Sequence, residues 1–384
     1  MVEIKKDVIV LGLGAWGSAA LWRLAARGVD VAGIERYGIG HVLGSTHGTT
    51  RLFRIACQEH TGLSPIALKS LELWTGLAAE TGEEYVSQSG VLSSGAPDSV
   101  PVAGTIRAAG MAGTPVTRFS HDQFVDRYPG YGNVQDQEVA VLDTAGGVCY
   151  PERFVRGHVA AAQRLGADVY PDTRVTRLEI TRDGIRVHTA TAVFTAAKVV
   201  VALGAWMPKF FPTLPFRPKR TPLYWFDAKP GHADEYRLEN FPGFIRELPN
   251  GMLMWGHGSS DDFGIKIGLG DDAKSFQYCS DADTIDRYIH QREDIDELKG
   301  YVAQAFPGIE PQPSMVIPCV VTESPDQQFI IGRHPLDDRI VVAGGDSGHG
   351  AKHAAGIGEL LAQLTVGEAP FADASFMSPD RFSE

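Results

Sequence analysis

The sequence predicts an α/β fold, a Rossmann-like nucleotide-binding domain interleaved with an α+β domain built on an antiparallel sheet. Three observations carry that expectation. The apolar run "DVIVLG" at 7–12 leads into a glycine turn, the pattern of a buried parallel strand feeding a helix. Two more strand-to-glycine units stand far downstream, "AAKVVVALGAWMP" at 196–208 and "DRIVVAGGDSGHGAKHAAGIGELLAQLTVG" at 338–367. Between them, "RTPLYWFDA", "GFIRELP" and "GMLMWGHG" are short strand-like segments set off by Pro and Gly turns, as in an antiparallel sheet.

The first unit has the most detailed signature. Gly12, Gly14 and Gly17 form GxGxxG, "SAALWRLAARG" has helical apolar spacing, and "VDVAGIE" is a second strand ending in Glu35. Gly12 permits the tight turn, Gly14 admits a pyrophosphate, and Gly17 lets the helix pack on the strand. Helix N–H groups and dipole would hold the phosphates, and Glu35 would accept from ribose hydroxyls. An acid at that position suits FAD or NAD and disfavours NADP. The second unit ends in a small-residue turn at Gly204 and the third in one containing Gly348, His349 and Gly350. Three separated units suit a long, extended cofactor.

Composition sets the remaining bounds. At 384 residues the chain exceeds one ordinary core, so two domains are expected. A net charge of −12 with no basic tail argues against nucleic-acid binding. No apolar stretch reaches the roughly 18 residues of a membrane span. The opening "MVEIKKDVIVLGLG" reads as a first strand, since its apolar part is short and runs straight into the glycine turn. Four scattered cysteines, without a CxxC pair, point away from zinc and disulfides and toward a reducing cytoplasm. By residue type alone Cys319 is a buried small hydrophobe.

Taken together, "STHGTTRLFR", "GVCYPERF", "VVALGAW", "GIKIG", "VIPCVVTESPDQQFIIG" and "GGDSGHGAKHAAGIGELLAQL" resemble the monomeric sarcosine oxidase and N-methyltryptophan oxidase family, of the D-amino-acid oxidase superfamily. The resemblance runs collinearly along the chain. It implies FAD, a monomer, and oxidation of a small secondary amine by O2 to an imine and hydrogen peroxide. The runner-up substrates are larger or cyclic amines such as glycated amino acids or pipecolate. A flavin dehydrogenase or a non-catalytic flavin subunit is a further alternative. The implied FAD-binding domain comprises 1–86, 146–214 and 319–384, and the substrate domain 87–145 and 215–318.

Site residues follow from the same resemblance. Arg54 would hold the substrate carboxylate, with Lys352 as second cation; a guanidinium fork matches a carboxylate. Arg51 and His47 would lie against the flavin ring. On residue pattern alone, the two arginines could instead sit at i and i+3 of a helix. Lys266 alternates with Ile265 and Ile267, so it faces away from them; the resemblance places it over the flavin, promoting oxygen reduction. N–H groups of the turn at Gly348, His349 and Gly350 would serve the flavin pyrimidine edge. Val175 would meet the adenine end by its backbone. Cys319 would form an 8α-S-cysteinyl link to FAD. Met254 and Val321 replace aromatic hydroxyls of the family's pocket, and Gly270 replaces a histidine, which implies a less polar pocket that binds substrate; Trp225, Trp255 and His257 are candidates to line it. The acidic stretch "DADTIDRYIHQREDIDELKGYVAQAFPG" reads as helices with a solvated face.

Overall fold

The computed structural model describes residues 2–270 and 273–382. Its nucleotide sheet has a parallel centre in the spatial order Asp337–Gly344, Ala192–Val201, Val2–Leu11, Val31–Ile34, Asp168–Tyr170. Leu11 pairs with both Ile34 and Val201, and Val201 with Val342. The carboxyl ends of these strands therefore lie side by side, and all three glycine turns leave from that edge. In an open α/β sheet this is where ligands bind. The hairpin Arg177–Thr181 and Gly184–His188 and the strand Ile330–His334 extend the sheet antiparallel.

Helix Ala15–Ala25 packs between Pro151–Arg164 and Ala354–Val366, with Leu63–Thr81 against the last. Trp16, Trp22, Trp74, Phe154 and Leu360 fill that layer. Gly17 is what allows the close approach, because a Cβ there would lie 1.8 Å from the Gly12 carbonyl oxygen. No helix among the described residues is long and apolar enough to cross a membrane.

The second sheet runs Gln277–Tyr278, Arg217–Phe226, Ile265–Leu269, Leu253–His257, Gly243–Glu247, Val91–Gly95, Val139–Asp143, Val116–Phe119, with Met315–Glu323 also on Arg217–Phe226. Its neighbours are antiparallel except Gly243–Glu247 on Val91–Gly95, where two separate excursions of the chain meet in parallel. One face carries an aromatic core that includes Tyr131, Tyr236, Phe241, Phe244 and Phe306. The other carries Leu223, Trp225 and Cys319, with Trp255 and Ile317.

Two expectations shift. The boundary at 319 falls inside Met315–Glu323, which pairs with Arg217–Phe226 along its whole length, so the chain rejoins the nucleotide sheet only at Ile330. The acidic stretch is α-helical only at Asp296–Ala305, and its acids are not uniformly solvated. Asp294 is buried and takes a two-pronged hydrogen bond from buried Arg220, at 2.6 and 2.8 Å. Arg220 also donates to the carbonyls of Asp286 and Tyr288.

Candidate active site

A cavity of about 560 Å³ opens at the aligned strand ends. Gly12, Gly14, Glu35, Val175, Gly204, Arg51, Gly348 and Gly350 all line it. Gly12 has φ +82°, and a Cβ there would strike the Ala202 carbonyl at 2.5 Å. A Cβ on Gly14 would meet only the Thr46 hydroxyl, at 3.4 Å, so that side is open to a ligand. The helix starting at Ala15 has no side-chain cap from Gly14; the Ala15 N–H donates to the Thr46 hydroxyl at 3.2 Å, and the N–H groups that follow in the first turn are left for an anion. Glu35 is 5% exposed and accepts from the N–H groups of Leu13 at 2.8 Å and Tyr37 at 3.0 Å. An open phosphate turn, an anchored acid near a ribose position and a cavity reaching on to Arg51 fit an extended dinucleotide such as FAD.

At the far end the predicted residues converge. Arg51 lies on the strand Arg51–Phe53, not on a helix, and donates to the carbonyls of Thr50 at 2.9 Å and Ser45 at 3.1 Å. Its guanidinium is 3.7 Å from the Cys319 sulfur. Cys319 is 2% exposed; burial pushes its thiol up, and Arg51 pulls the other way. His47 is fully buried, with neither ring nitrogen hydrogen-bonded among the described residues. Burial, then the charges of Arg51 and Lys266, push it down to about 3, so it is a neutral imidazole. Lys266 is buried and donates to the carbonyls of Gly48 and, at 2.9 Å, Thr50. Its ammonium lies 4.7 Å from the centre of the Trp225 ring. Burial and then Arg51 hold it well below the ordinary lysine range. His257 bonds the Thr50 hydroxyl at 2.7 Å and so braces the loop that Lys266 grips.

Arg54 and Lys352 come together as expected, but on a third residue that sequence reasoning missed. Both donate to Glu59 Oε1, Lys352 at 3.0 Å. Burial opposes ionisation of Glu59, yet Arg54 and Lys352 outweigh it and keep the carboxyl well below its usual value. Arg54 Nη1 and Glu59 Oε2 are buried without hydrogen-bond partners among the described residues. Nothing local marked Glu59, since its partners lie five and 293 residues away.

Two assignments are corrected. Met254 is fully buried in the aromatic core, paired across the strands with Leu269 and Arg246, so it lies on the sheet face opposite Lys266. Trp255, one residue on, has the face that carries Lys266 and pairs with Gly268, while its indole donates to the Leu269 carbonyl at 2.8 Å. The His349 N–H is taken by the Asp346 carbonyl at 2.9 Å, and its ring stacks on Phe329. The Gly348 N–H is likewise taken, by Asp346 Oδ1 at 3.1 Å, which leaves Gly350, whose N–H has no partner among the described residues, as the donor of the turn.

A sequence model described as FAD dependent oxidoreductase matches residues 7–364. The monomeric sarcosine oxidase of Streptomyces avermitilis is 36% identical over 365 residues, 94% of this chain and 93% of that protein. The N-methyl-L-tryptophan oxidase of Yersinia pestis is 30% identical, over 98% and 99% of the two chains. Among solved structures, the open form of NikD, titled an unusual amino acid oxidase essential for nikkomycin biosynthesis, superposes with a TM-score of 0.83 at 22% identity, covering 98% of both chains. The L-proline dehydrogenase of P. horikoshii does so at 0.82 and 22%, covering 99% and 98%; at that identity the likeness concerns the fold.

Proposed function

The chain belongs to the family of FAD-dependent oxidoreductases, and from that premise we propose that it is an oxidase of secondary amines, chiefly N-methyl amino acids. It converts the amine to an imine, which water hydrolyses, and reduces O2 to hydrogen peroxide. Bound FAD supplies the two-electron chemistry that joins these half-reactions. The chain's own residues bind, orient and charge the site. Gly14 and the first helical turn would take the pyrophosphate, and Glu35 the ribose.

The observation that carries this reading is the convergence of two buried cations from distant segments, Arg54 and Lys352, on one carboxylate. A site that holds Glu59 in this way has the charge and fork geometry to hold a substrate carboxylate instead. Arg51 and neutral His47 would flank the ring, and Lys266 would present its charge where oxygen is reduced. Cys319, beside Arg51 at the same end, is inferred to carry the cofactor covalently through its sulfur. Leu223, Trp225, Trp255 and Ile317 pack with Cys319, and a Cβ on Gly270 would meet Leu253 at 2.9 Å. Apart from the cations Arg51 and Lys266, that wall is apolar and favours N-methyl amino acids with apolar substituents, or cyclic imino acids, over sarcosine.

A peroxide-release screen across sarcosine, N-methyl amino acids, pipecolate, proline and glycated amino acids tests the reading. Flavin bleaching by an amine without peroxide in air would make the protein a dehydrogenase. Acid precipitation of the same preparation should leave the yellow colour on the protein, and Cys319→Ser should release it.

A further inference from the structure

The nucleotide end of the cavity is walled by side chains whose anchor lies outside it. Arg36 follows Glu35 directly, and its guanidinium lies 5.0 Å from the Tyr37 ring and 5.6 Å from the Trp206 ring. Arg36, Tyr37, Trp206, Lys209 and Arg174 all line the cavity. Four of them converge on one carboxylate, Asp283. Arg36 Nη1 donates to its Oδ1 at 2.5 Å, the Trp206 indole to the same oxygen at 2.7 Å, and Lys209 to Oδ2 at 2.5 Å; Arg174 stands 3.7 Å away. Asp281 braces the arrangement, accepting from the Asp283 N–H at 2.8 Å and pairing with Lys209. Asp283 itself belongs to the excursion that builds the second sheet.

We propose that Asp283 is a positioning residue for the adenosine half of FAD. It fixes the Arg36–Trp206 wall and neutralises three cations that would otherwise repel one another beside Glu35. Without it Arg36 is free to pair with Glu35 and withdraw that acid from the ribose. A single exposed ion pair contributes little, but one carboxylate holding three donors, one of them a guanidinium over two aromatic rings, is a network.

The full chain carrying Cys319→Ser, so that no covalent link fixes the flavin, is the parent for this test; stripped of flavin, it is titrated with FAD and separately with ADP, which carries only the adenosine half. Asp283→Asn should weaken both by about the same factor, on the order of tenfold, and Asp283→Glu should recover part of it. Raising salt should weaken ADP binding to Asp283→Asn more than to the parent chain, because three uncompensated cations then face the anion. Unchanged affinity, loss of FAD affinity with ADP unaffected, or no ADP binding by the parent chain each overturns the proposal. If Asp283→Asn does not fold, Trp206→Phe removes one donor and keeps the ring. It should weaken ADP and FAD alike by a smaller factor, and no change there counts equally against the role.

Discussion

At Glu59 one carboxylate neutralises two buried cations, so removing its charge separates two effects. Glu59→Gln should let small carboxylate inhibitors bind about tenfold tighter, because they no longer compete with an internal anion. The melting temperature should fall at the same time, since Arg54 and Lys352 lose their counter-charge. Because the folded carboxyl is held below its unfolded value, its stabilisation is present above the unfolded carboxylate range and is lost only as pH falls below it. Inhibitor binding at neutral pH should therefore show no titration from Glu59. Lys266 behaves oppositely. Burial lowers its ammonium, so the charge disappears as pH rises through a value below the ordinary lysine range. Reoxidation by O2 should slow over that rise, and Lys266→Met should slow it at all pH values while affecting anaerobic reduction far less. Equal losses in both half-reactions would count against the oxygen role. Period-two alternation made the face of Lys266 legible from sequence. It failed at Met254 because "MLMWGH" has bulky residues on both faces and does not declare its phase.

At the scale of elements, the glycine units were legible because each job is local. A tight turn, an open phosphate side and a close helix approach each demand glycine at one position. The segment from Asp281 to Ile295 was not legible, because its order comes from partners elsewhere. Arg220 reaches into it from the strand Arg217–Phe226, and Asp294 answers from the far side. Counting acids along that segment gave a solvated face; the structure uses Asp283 and Asp294 as its fastenings. Asp294→Ala should therefore cost about 3–5 kcal/mol, because it leaves a buried guanidinium unpaired, measured by denaturant unfolding. Proteolysis should then begin at Arg287 or Arg292. A loss under 1 kcal/mol would show that water replaces the carboxylate.

Across the whole molecule, each sheet is assembled from chain segments that the other sheet separates. The nucleotide sheet draws on residues 2–34, 168–201 and 330–344, and the second sheet on 91–143 and 217–323. That interleaving brings Arg51 at the cavity wall against Cys319 and sets Lys266 on the loop that carries Arg51, while Lys352 joins Arg54 at Glu59. It also governs how the protein comes into being. The parallel join of Gly243–Glu247 to Val91–Gly95 leaves the strands of the first excursion with an uncovered edge until the second has emerged. The nucleotide sheet likewise waits for Asp337–Gly344, its last strand in chain order. Neither half can close as a finished unit ahead of the other, so during synthesis this chain keeps both cores incomplete together, with strand edges open to neighbours. Its long-range pairings make folding intrinsically slow, and expression yield is set in that interval as much as by the stability of the finished fold.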